Sequence, residues 1–243
     1  MDRRSFHRLC GGLLGGAAAL HRELASAEAP ARESDAGARG PWPRTRLVDE
    51  HETPLTLAAL EPGEARVFHY PYRVTPCFLL RLAPASTPAA AVGGGWPGGL
   101  DDDGSVVAFS AICSHKMSHP ARPISHIAYR PEPIEFTASD GTRQTRAGLI
   151  SCCSERSVYD PAEGARVLAG PAPVPLAAIA LALDEDGAIV ATASLGTDRY
   201  ERFLDAFGFR LALEHGSSDV RRRSGDTAVA TLARDFSRQQ IRC

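Results

Sequence analysis

Short apolar runs separated by proline and glycine constrain the fold of this 243-residue chain more than any other feature. Proline cannot donate to a hydrogen-bond ladder and glycine weakens regular elements, so 18 prolines and 22 glycines divide the chain into short segments. One stretch, 197–213, instead has aromatic and leucine residues at helical spacing. Short apolar runs predict strands at 66–70, 77–82, 105–112, 134–137, 178–183 and 188–193. We therefore expect an all-β fold with a C-terminal helix.

The N-terminal segment, residues 1–27, has the pattern of an export signal. Paired arginines at 3–4 precede an apolar stretch at 9–20, and small residues at 25–27 offer a cleavage site. This order is typical of a signal peptide, and the paired arginines indicate the twin-arginine type, which exports folded proteins. The apolar stretch is too short to span a bilayer as a helix. We expect cleavage and a periplasmic protein, with retention as a membrane anchor as the alternative.

The rest of the chain divides by composition. Residues 28–43 are rich in Ala, Glu, Arg, Gly and Pro and predict a linker. We expect a folded domain at 44–195, followed at 196–243 by the helix and a polar tail. A net charge of -2 gives no indication of a nucleic-acid partner.

Two segments place metal-binding residue types directly after predicted strands. The first reads Cys113-Ser114-His115, and the second begins with Cys152-Cys153 and contains Glu155. Cys-x-His puts a thiolate and an imidazole on one tight loop, and two such loops side by side can hold a two-iron cluster.

The order of these motifs resembles that of Rieske-type [2Fe–2S] proteins. In that family one loop reads Cys-x-His, the other reads Cys-x-x-His-Gly-Ser-x-Phe-Asp, and a Gly-Pro-Ala-Pro segment follows. The corresponding residues here are 113–115, 157–160 and 170–173, so the resemblance covers about residues 105–193. It implies a Rieske-like antiparallel β-sandwich with a two-loop cluster-binding subdomain and a [2Fe–2S] cluster.

The second loop departs from the family pattern at its histidine. Counting back from Ser157 and Asp160 places Cys152 at the family's cysteine and Glu155 at its histidine. A shift of one residue would make Cys153 the ligand, again without a histidine. The resemblance implies that positions Ser157 and Tyr159 hydrogen-bond the cluster sulfurs. It gives as metal ligands Cys113, His115, Cys152 and Glu155, with Cys153 as the alternative cysteine.

Other assignments remain open at this point. His119 or His126 could replace Glu155 as the fourth ligand. The family's loop-bridging disulfide is absent, because its positions are Ser118 and Ser154, and Cys77 and Cys243 could pair instead. A zinc site is the chemical alternative, and its ligands would be Cys113, His115, Cys152 and Cys153.

The resemblance predicts an exported electron-transfer protein, or a subunit of a redox complex, rather than a stand-alone enzyme. Its partner would be a cytochrome or a dehydrogenase subunit, and the complex could be membrane-associated. A carboxylate ligand favours ferric iron, so we expect a lower reduction potential than that of a two-histidine cluster. The alternative function is a cluster-less structural or assembly subunit with a Rieske-like fold. An oxygenase is disfavoured, because His215 is the sole histidine after residue 193.

Overall fold

The computed structural model describes residues 42–83, 96, 98–100, 102–195 and 198–243. The predicted signal segment and residues 28–41 of the predicted linker lie outside the described residues. The described strands are β1 (Thr45–Val48), β2 (Ala65–His69), β3 (Pro76–Arg81), β4 (Val106–Ser110), β5 (Ile127–Arg130), β6 (Ile134–Thr137), β7 (Arg143–Arg146), β8 (Leu149–Cys152), β9 (Ser157–Asp160), β10 (Arg166–Ala169), β11 (Ala178–Leu183), β12 (Ile189–Ser194), β13 (Thr227–Val229) and β14 (Thr231–Leu232). The α-helices are α1 (Asp198–His215) and the single-turn α2 (Ala233–Phe236).

Eight strands form one large sheet in the order β13-β1-β12-β11-β4-β3-β2-β14. The pairing of β1 with β13 is parallel, whereas the other pairings in this sheet are antiparallel. The strands β13 and β14 stand at opposite ends of this order, although only the buried Ala230 separates them in sequence. The two sheet edges therefore meet, and the sheet is nearly closed, which covers edges that would otherwise be exposed.

The closing strands come from the residues that the sequence analysis left as a polar tail. They have three and two residues, and their side chains are exposed or half-buried. Strands of three and two residues are too short to form the apolar runs from which the longer strands are predicted. The segment after α1 is thus part of the same folded unit as the large sheet.

A smaller subdomain carries the second candidate loop. Four antiparallel strands form a sheet in the order β10-β9-β8-β5, and β6 pairs with β7 in a separate hairpin. The first candidate loop follows β4 of the large sheet, and the second connects β8 to β9. The two loops therefore come from two different sheets.

Two apolar cores hold these layers together. In the first, Tyr200, Phe203 and Leu211 of α1 pack against the large sheet at residues such as Phe68. In the second, residues of the large sheet and of the small sheet pack together, and this core includes both Cys113 and Cys152. Burial of apolar surface on both faces stabilises the large sheet and fixes the loop that follows β4.

These observations confirm the predicted fold class, a mostly β protein with a helix near its C-terminus. The predicted strands are present with bounds shifted by a few residues, and the predicted hairpin of β11 and β12 is confirmed. Among the described helices, none combines the length and the apolar character needed to cross a bilayer.

Candidate metal centre

The first loop folds back on itself immediately after β4. The backbone N–H of Cys113 donates to the carbonyl of Ser118 at 2.9 Å, and the N–H of Met117 donates to the carbonyl of Cys113 at 2.9 Å. Met117 takes a φ of 56°, which is the left-handed conformation that such a reversal requires. Cys113 and His115 are thereby placed on the same turn.

The second loop is a four-residue connection, residues 153–156, held between paired strands. Cys152 and Ser157 are register partners at its base. On its outer side the loop touches Gly170, where an added Cβ would lie 2.5 Å from the carbonyl oxygen of Arg156. Gly170 also has a φ of +82°, so both the conformation and the close approach require glycine there. The Gly-Pro-Ala-Pro segment thus packs directly on the second loop.

Cys113 and Cys152 meet in the core between the two sheets. Their side chains are 1% and 0% exposed, and neither forms a disulfide within the described chain. A hydrogen bond from Cys152 lowers the pKa of Cys113 to about 5, although burial opposes this shift. The same hydrogen bond, together with burial, raises the pKa of Cys152 above its usual range. These opposite shifts favour Cys113 over Cys152 as the thiolate of the pair, and the thiolate is the form of cysteine that binds a metal.

Tyr159 of β9 contacts the Cys113 sulfur. Its hydroxyl lies 3.2 Å from Cys113 Sγ and accepts a hydrogen bond from the N–H of Ser114 at 3.2 Å. The Ser114 hydroxyl in turn donates to the carbonyl of Val174 at 2.7 Å. Burial raises the pKa of Tyr159, so its hydroxyl keeps the proton that it can donate to the thiolate. Tyr159 therefore contacts the sulfur of one predicted ligand, and its role toward a cluster stays a prediction.

His115 and Glu155 form a second pair on the solvent side. His115 Nδ1 lies 3.4 Å from Glu155 Oε2, and Lys116 Nζ lies 3.4 Å from Glu155 Oε1. The side chains of His115 and Glu155 are 26% and 45% exposed. Lys116, which the sequence analysis did not consider, balances the charge of Glu155. The two loops therefore meet through an imidazole and a carboxylate at the surface.

Two buried polar atoms at this site make no hydrogen bond. Among the described residues, Ser157 Oγ has no hydrogen-bond partner, and the 3.4 Å contact of His115 Nδ1 with Glu155 Oε2 is an ion-pair distance without hydrogen-bond geometry. A buried polar group without a partner is costly, which makes such atoms informative. A sulfide-bridged iron pair would supply an acceptor for the Ser157 hydroxyl and a Lewis acid for the imidazole nitrogen. The residues present therefore fit a [2Fe–2S] cluster.

A site for one metal ion fits less well. Within the part of the chain that the structure describes, no three His, Cys, Asp or Glu side chains are grouped around one position. The candidate ligands come instead as two pairs, and a two-iron cluster takes two protein ligands at each iron. Cys153 is bonded to Cys243 in a disulfide, so its sulfur is not a thiolate. The zinc site with four ligands and the iron site with Cys153 in place of Cys152 both need a free Cys153 thiolate, which this structure does not offer.

The expected pairing of Cys77 with Cys243 is wrong. Cys77 lies in the core under α1, and its thiol donates to the carbonyl of Tyr70 at 3.0 Å. Cys243 is exposed and pairs with Cys153, which lies 90 positions earlier in the chain. The sequence alone gave no means of choosing between these partners.

His119 is held under the long helix. Its ring makes edge contacts with Phe203 and Phe207, at centroid distances of 4.8 and 5.4 Å, and its Nδ1 lies 3.0 Å from the carbonyl of Met117. His126 supplies a backbone carbonyl that accepts from the N–H of Cys153 at 2.7 Å. The ring contacts hold His119 under α1 and do not support it as the fourth ligand. The contact of His126 involves its backbone alone, so His126 stays an alternative ligand.

The positions of the missing loop-bridging disulfide are joined by a hydrogen bond. Ser118 Oγ and Ser154 Oγ lie 2.6 Å apart, one on each loop. A hydrogen bond therefore joins the two loops at these positions.

Comparisons with known proteins add one structural similarity. The soluble domain of Rieske protein II (soxF) from Sulfolobus acidocaldarius superposes with a TM-score of 0.42 and 25% sequence identity, over 63% of this chain and 78% of that chain. No family model matches the chain, and no curated protein matches it.

Proposed function

We propose that this chain is an exported Rieske-type [2Fe–2S] electron-transfer protein, or a subunit of a redox complex, that passes single electrons to or from a partner protein. The observation that carries the proposal is the pairing of ligand types. Two buried cysteines lie in the same core, Cys113 beside the Tyr159 hydroxyl, and an imidazole faces a carboxylate at the surface. Cys113 and Cys152 would hold the inner iron, and His115 and Glu155 would hold the outer iron.

Such a centre would have a buried side formed by the two cysteines and a partly exposed side formed by His115 and Glu155. The buried sulfurs lie in an apolar core, where water is excluded and electrostatic interactions are stronger. His115 and Glu155 are partly exposed, so the outer side can come close to the cofactor of a cytochrome or dehydrogenase subunit. The cluster, when bound, would supply a one-electron change. Glu155 brings a negative charge to the outer iron, which favours the ferric state and lowers the potential.

The direct test is iron and acid-labile sulfide on the purified protein, with EPR of the dithionite-reduced sample. Two irons, two sulfides and a rhombic Rieske-type signal support the proposal. The substitution Glu155→His restores the family's ligand set, and we expect it to raise the reduction potential. The control is Glu185→His in the exposed turn between β11 and β12, which should leave the potential unchanged.

One observation favours the alternative function, a cluster-less structural or assembly subunit. The loops already close on each other without a cofactor, through the His115–Glu155 pair and the Ser118–Ser154 hydrogen bond. A colourless protein without iron, even after anaerobic reconstitution of both the wild type and Glu155→His, would support the subunit and contradict the carrier.

Export is tested separately from the cluster. We expect the protein in the periplasmic fraction, and we expect replacement of both Arg3 and Arg4 by lysine to retain it in the cytoplasm. Periplasmic accumulation of the lysine variant would contradict the twin-arginine route without bearing on the cluster.

A further inference from the structure

The disulfide between Cys153 and Cys243 joins the second loop to a segment far along the chain. Their Cα atoms are 5.6 Å apart, although 90 positions separate them in sequence. Cys153 directly follows Cys152, the proposed ligand at the end of β8, and precedes Glu155 by two residues. The covalent bond therefore restrains the second loop, which carries the proposed ligand Glu155 and begins directly after the proposed ligand Cys152.

Residues 237–243, here named the strap, also run along the chain that leaves the first loop. The Ser237 hydroxyl donates to the carbonyl of Ala121 at 2.7 Å. The N–H of Ser125 donates to the Gln239 carbonyl at 2.8 Å, and the N–H of Ile241 donates to the Ser125 carbonyl at 2.9 Å. The strap is thus paired like a parallel edge strand with the segment between the first loop and β5.

Arg130 fastens the strap to the small sheet. This arginine is only 5% exposed, and its guanidinium donates to the carbonyl of Ile241 and to the hydroxyl of Ser151. Ser151 is the neighbour of Cys152 in β8. One strap therefore contacts the flank of the first loop and the second loop itself, and Arg130 links it to the strand that carries Cys152.

We propose that the strap is a redox-dependent positioning clamp, which takes the place of the loop-bridging disulfide that Ser118 and Ser154 cannot form. The consequence of the clamp, retention of the cluster, rests on the proposed function. When Cys153 and Cys243 are thiols, the strap is held by hydrogen bonds alone and the second loop is free to admit or lose a cluster. When the disulfide forms, the loop is locked.

Closure is a thiol–disulfide exchange with a dithiol–disulfide oxidant protein. The Cys153 thiolate attacks the oxidant's disulfide to form a mixed disulfide, and the Cys243 thiolate then displaces the oxidant. The Cys153–Cys243 bond forms, the oxidant's S–S bond breaks, and the oxidant leaves as a dithiol carrying two electrons and two protons. Cys243 is exposed and Cys153 is partly exposed, so such an oxidant can reach both sulfurs. A reducing cytoplasm would keep the strap open, and an oxidising compartment would close it.

The first experiment measures cluster loss to an iron chelator, followed by visible absorbance, for the full-length protein. We expect Cys243→Ser to lose its cluster more than about tenfold faster than the oxidised wild type, a ratio equivalent to about 1.4 kcal/mol. A thiol reductant should accelerate loss from the wild type to the same rate and should have no further effect on Cys243→Ser. Equal rates for the oxidised wild type and Cys243→Ser would overturn the clamp.

A rescue variant separates positioning of the loops from general stability. Ser118 Oγ and Ser154 Oγ are 2.6 Å apart, so Ser118→Cys with Ser154→Cys can rebuild a bridge between the loops. Added to Cys243→Ser, this pair should restore slow cluster loss even though the strap stays unbonded. Failure of the rescue, with the new bridge confirmed by mass spectrometry, would contradict the idea that the strap acts by holding the loops.

Hydrogen exchange keeps the clamp testable in protein without iron. We expect reduction of the disulfide to raise exchange of the Ser125 and Ile241 amides by more than about tenfold, because the strap then opens locally. The Ile150 amide in the centre of the small sheet serves as the unaffected reference. Increased exchange in a protein that never binds iron would support the clamp and contradict only the proposed function. Unchanged exchange would contradict the clamp itself.

Discussion

Removal of the Tyr159 hydroxyl tests the hydrogen bonding on which the candidate centre depends. Tyr159→Phe takes a donor from the Cys113 sulfur and an acceptor from the N–H of Ser114, both at 3.2 Å. A hydrogen bond to a charged group contributes about 1.5–3 kcal/mol, and an N–H left without a partner costs about 1–3 kcal/mol. Ser114 is partly exposed, so water can replace part of its loss. We expect the cluster-free, thiol-reduced protein to be destabilised by about 2 kcal/mol at pH 7.

Tyr129 provides a matched control in the same core. It is also buried, at 5% exposure, but its hydroxyl has no hydrogen-bond partner among the described residues. Tyr129→Phe therefore removes an unsatisfied polar atom and should be neutral or stabilising by up to about 1 kcal/mol. Urea unfolding followed by circular dichroism measures the free energy of unfolding of both variants, each of which lacks one tyrosine hydroxyl.

The same substitution should change the chemistry of Cys113. Without the tyrosine hydroxyl its pKa should rise, so its alkylation should need a higher pH in the Tyr159→Phe protein. In cluster-loaded protein the lost donor disfavours the more negative reduced state. A difference of about 1.4 kcal/mol between the two redox states corresponds to a fall in potential of about 60 mV for one electron. Equal unfolding energies for the two tyrosine variants, with unchanged Cys113 reactivity, would refute the assigned hydrogen bonds.

Three further substitutions test the packing around the centre. Gly170→Ala should destabilise the protein by at least about 2 kcal/mol more than Gly187→Ala in thermal unfolding. Both glycines have a φ near +80°, but an added Cβ would lie within 3 Å of backbone atoms at Gly170 and would meet no atom within 4 Å at Gly187. Burial lowers the pKa of His69 to about 3, so the free energy of unfolding should decrease as the pH falls from about 6.5 toward 3. His69→Gln should reduce the slope of unfolding free energy against pH in this range by up to about 1.4 kcal/mol per pH unit. Identical acid-unfolding profiles for the two proteins would contradict this. Arg146→Ala should lower the free energy of unfolding in urea by about 1–3 kcal/mol, because the Asp160 carboxylate is 1% exposed and loses a partner 2.6 Å away. An unchanged urea midpoint would show that the ion pair does not contribute to stability.

Clustered histidines explain why acid sensitivity should originate under α1. The His69 ring lies 5.2 Å from the His215 ring, and both have a pKa lowered first by burial. Arg122 and His119 add further positive potential at His69. The folded state therefore favours neutral imidazoles, whereas the unfolded chain binds protons below pH 6.5. Acid would loosen the packing of the first loop against α1.

The sequence by itself determined the features that depend on neighbouring residues. Short apolar runs between prolines and glycines predicted the strands, and aromatic and leucine residues at helical spacing predicted the helix, because side-chain patterns reflect local backbone geometry. The spacing of Cys113 and His115 predicted a tight loop, and the structure has that loop closed by hydrogen bonds. The resemblance also predicted Glu155 in place of the family's histidine, from its spacing to Ser157 and Asp160.

Only the tertiary structure decided which distant segments meet. The sheet closes through strands of two and three residues, too short to leave a pattern in the sequence. Cys153 pairs with Cys243 rather than Cys243 with Cys77, because the strap runs beside the second loop while Cys77 faces the core. The meeting of Cys113 and Cys152 in one core likewise requires that two sheets pack together. Local patterns encode local geometry, whereas partners far apart in sequence are selected by the packing of the whole chain.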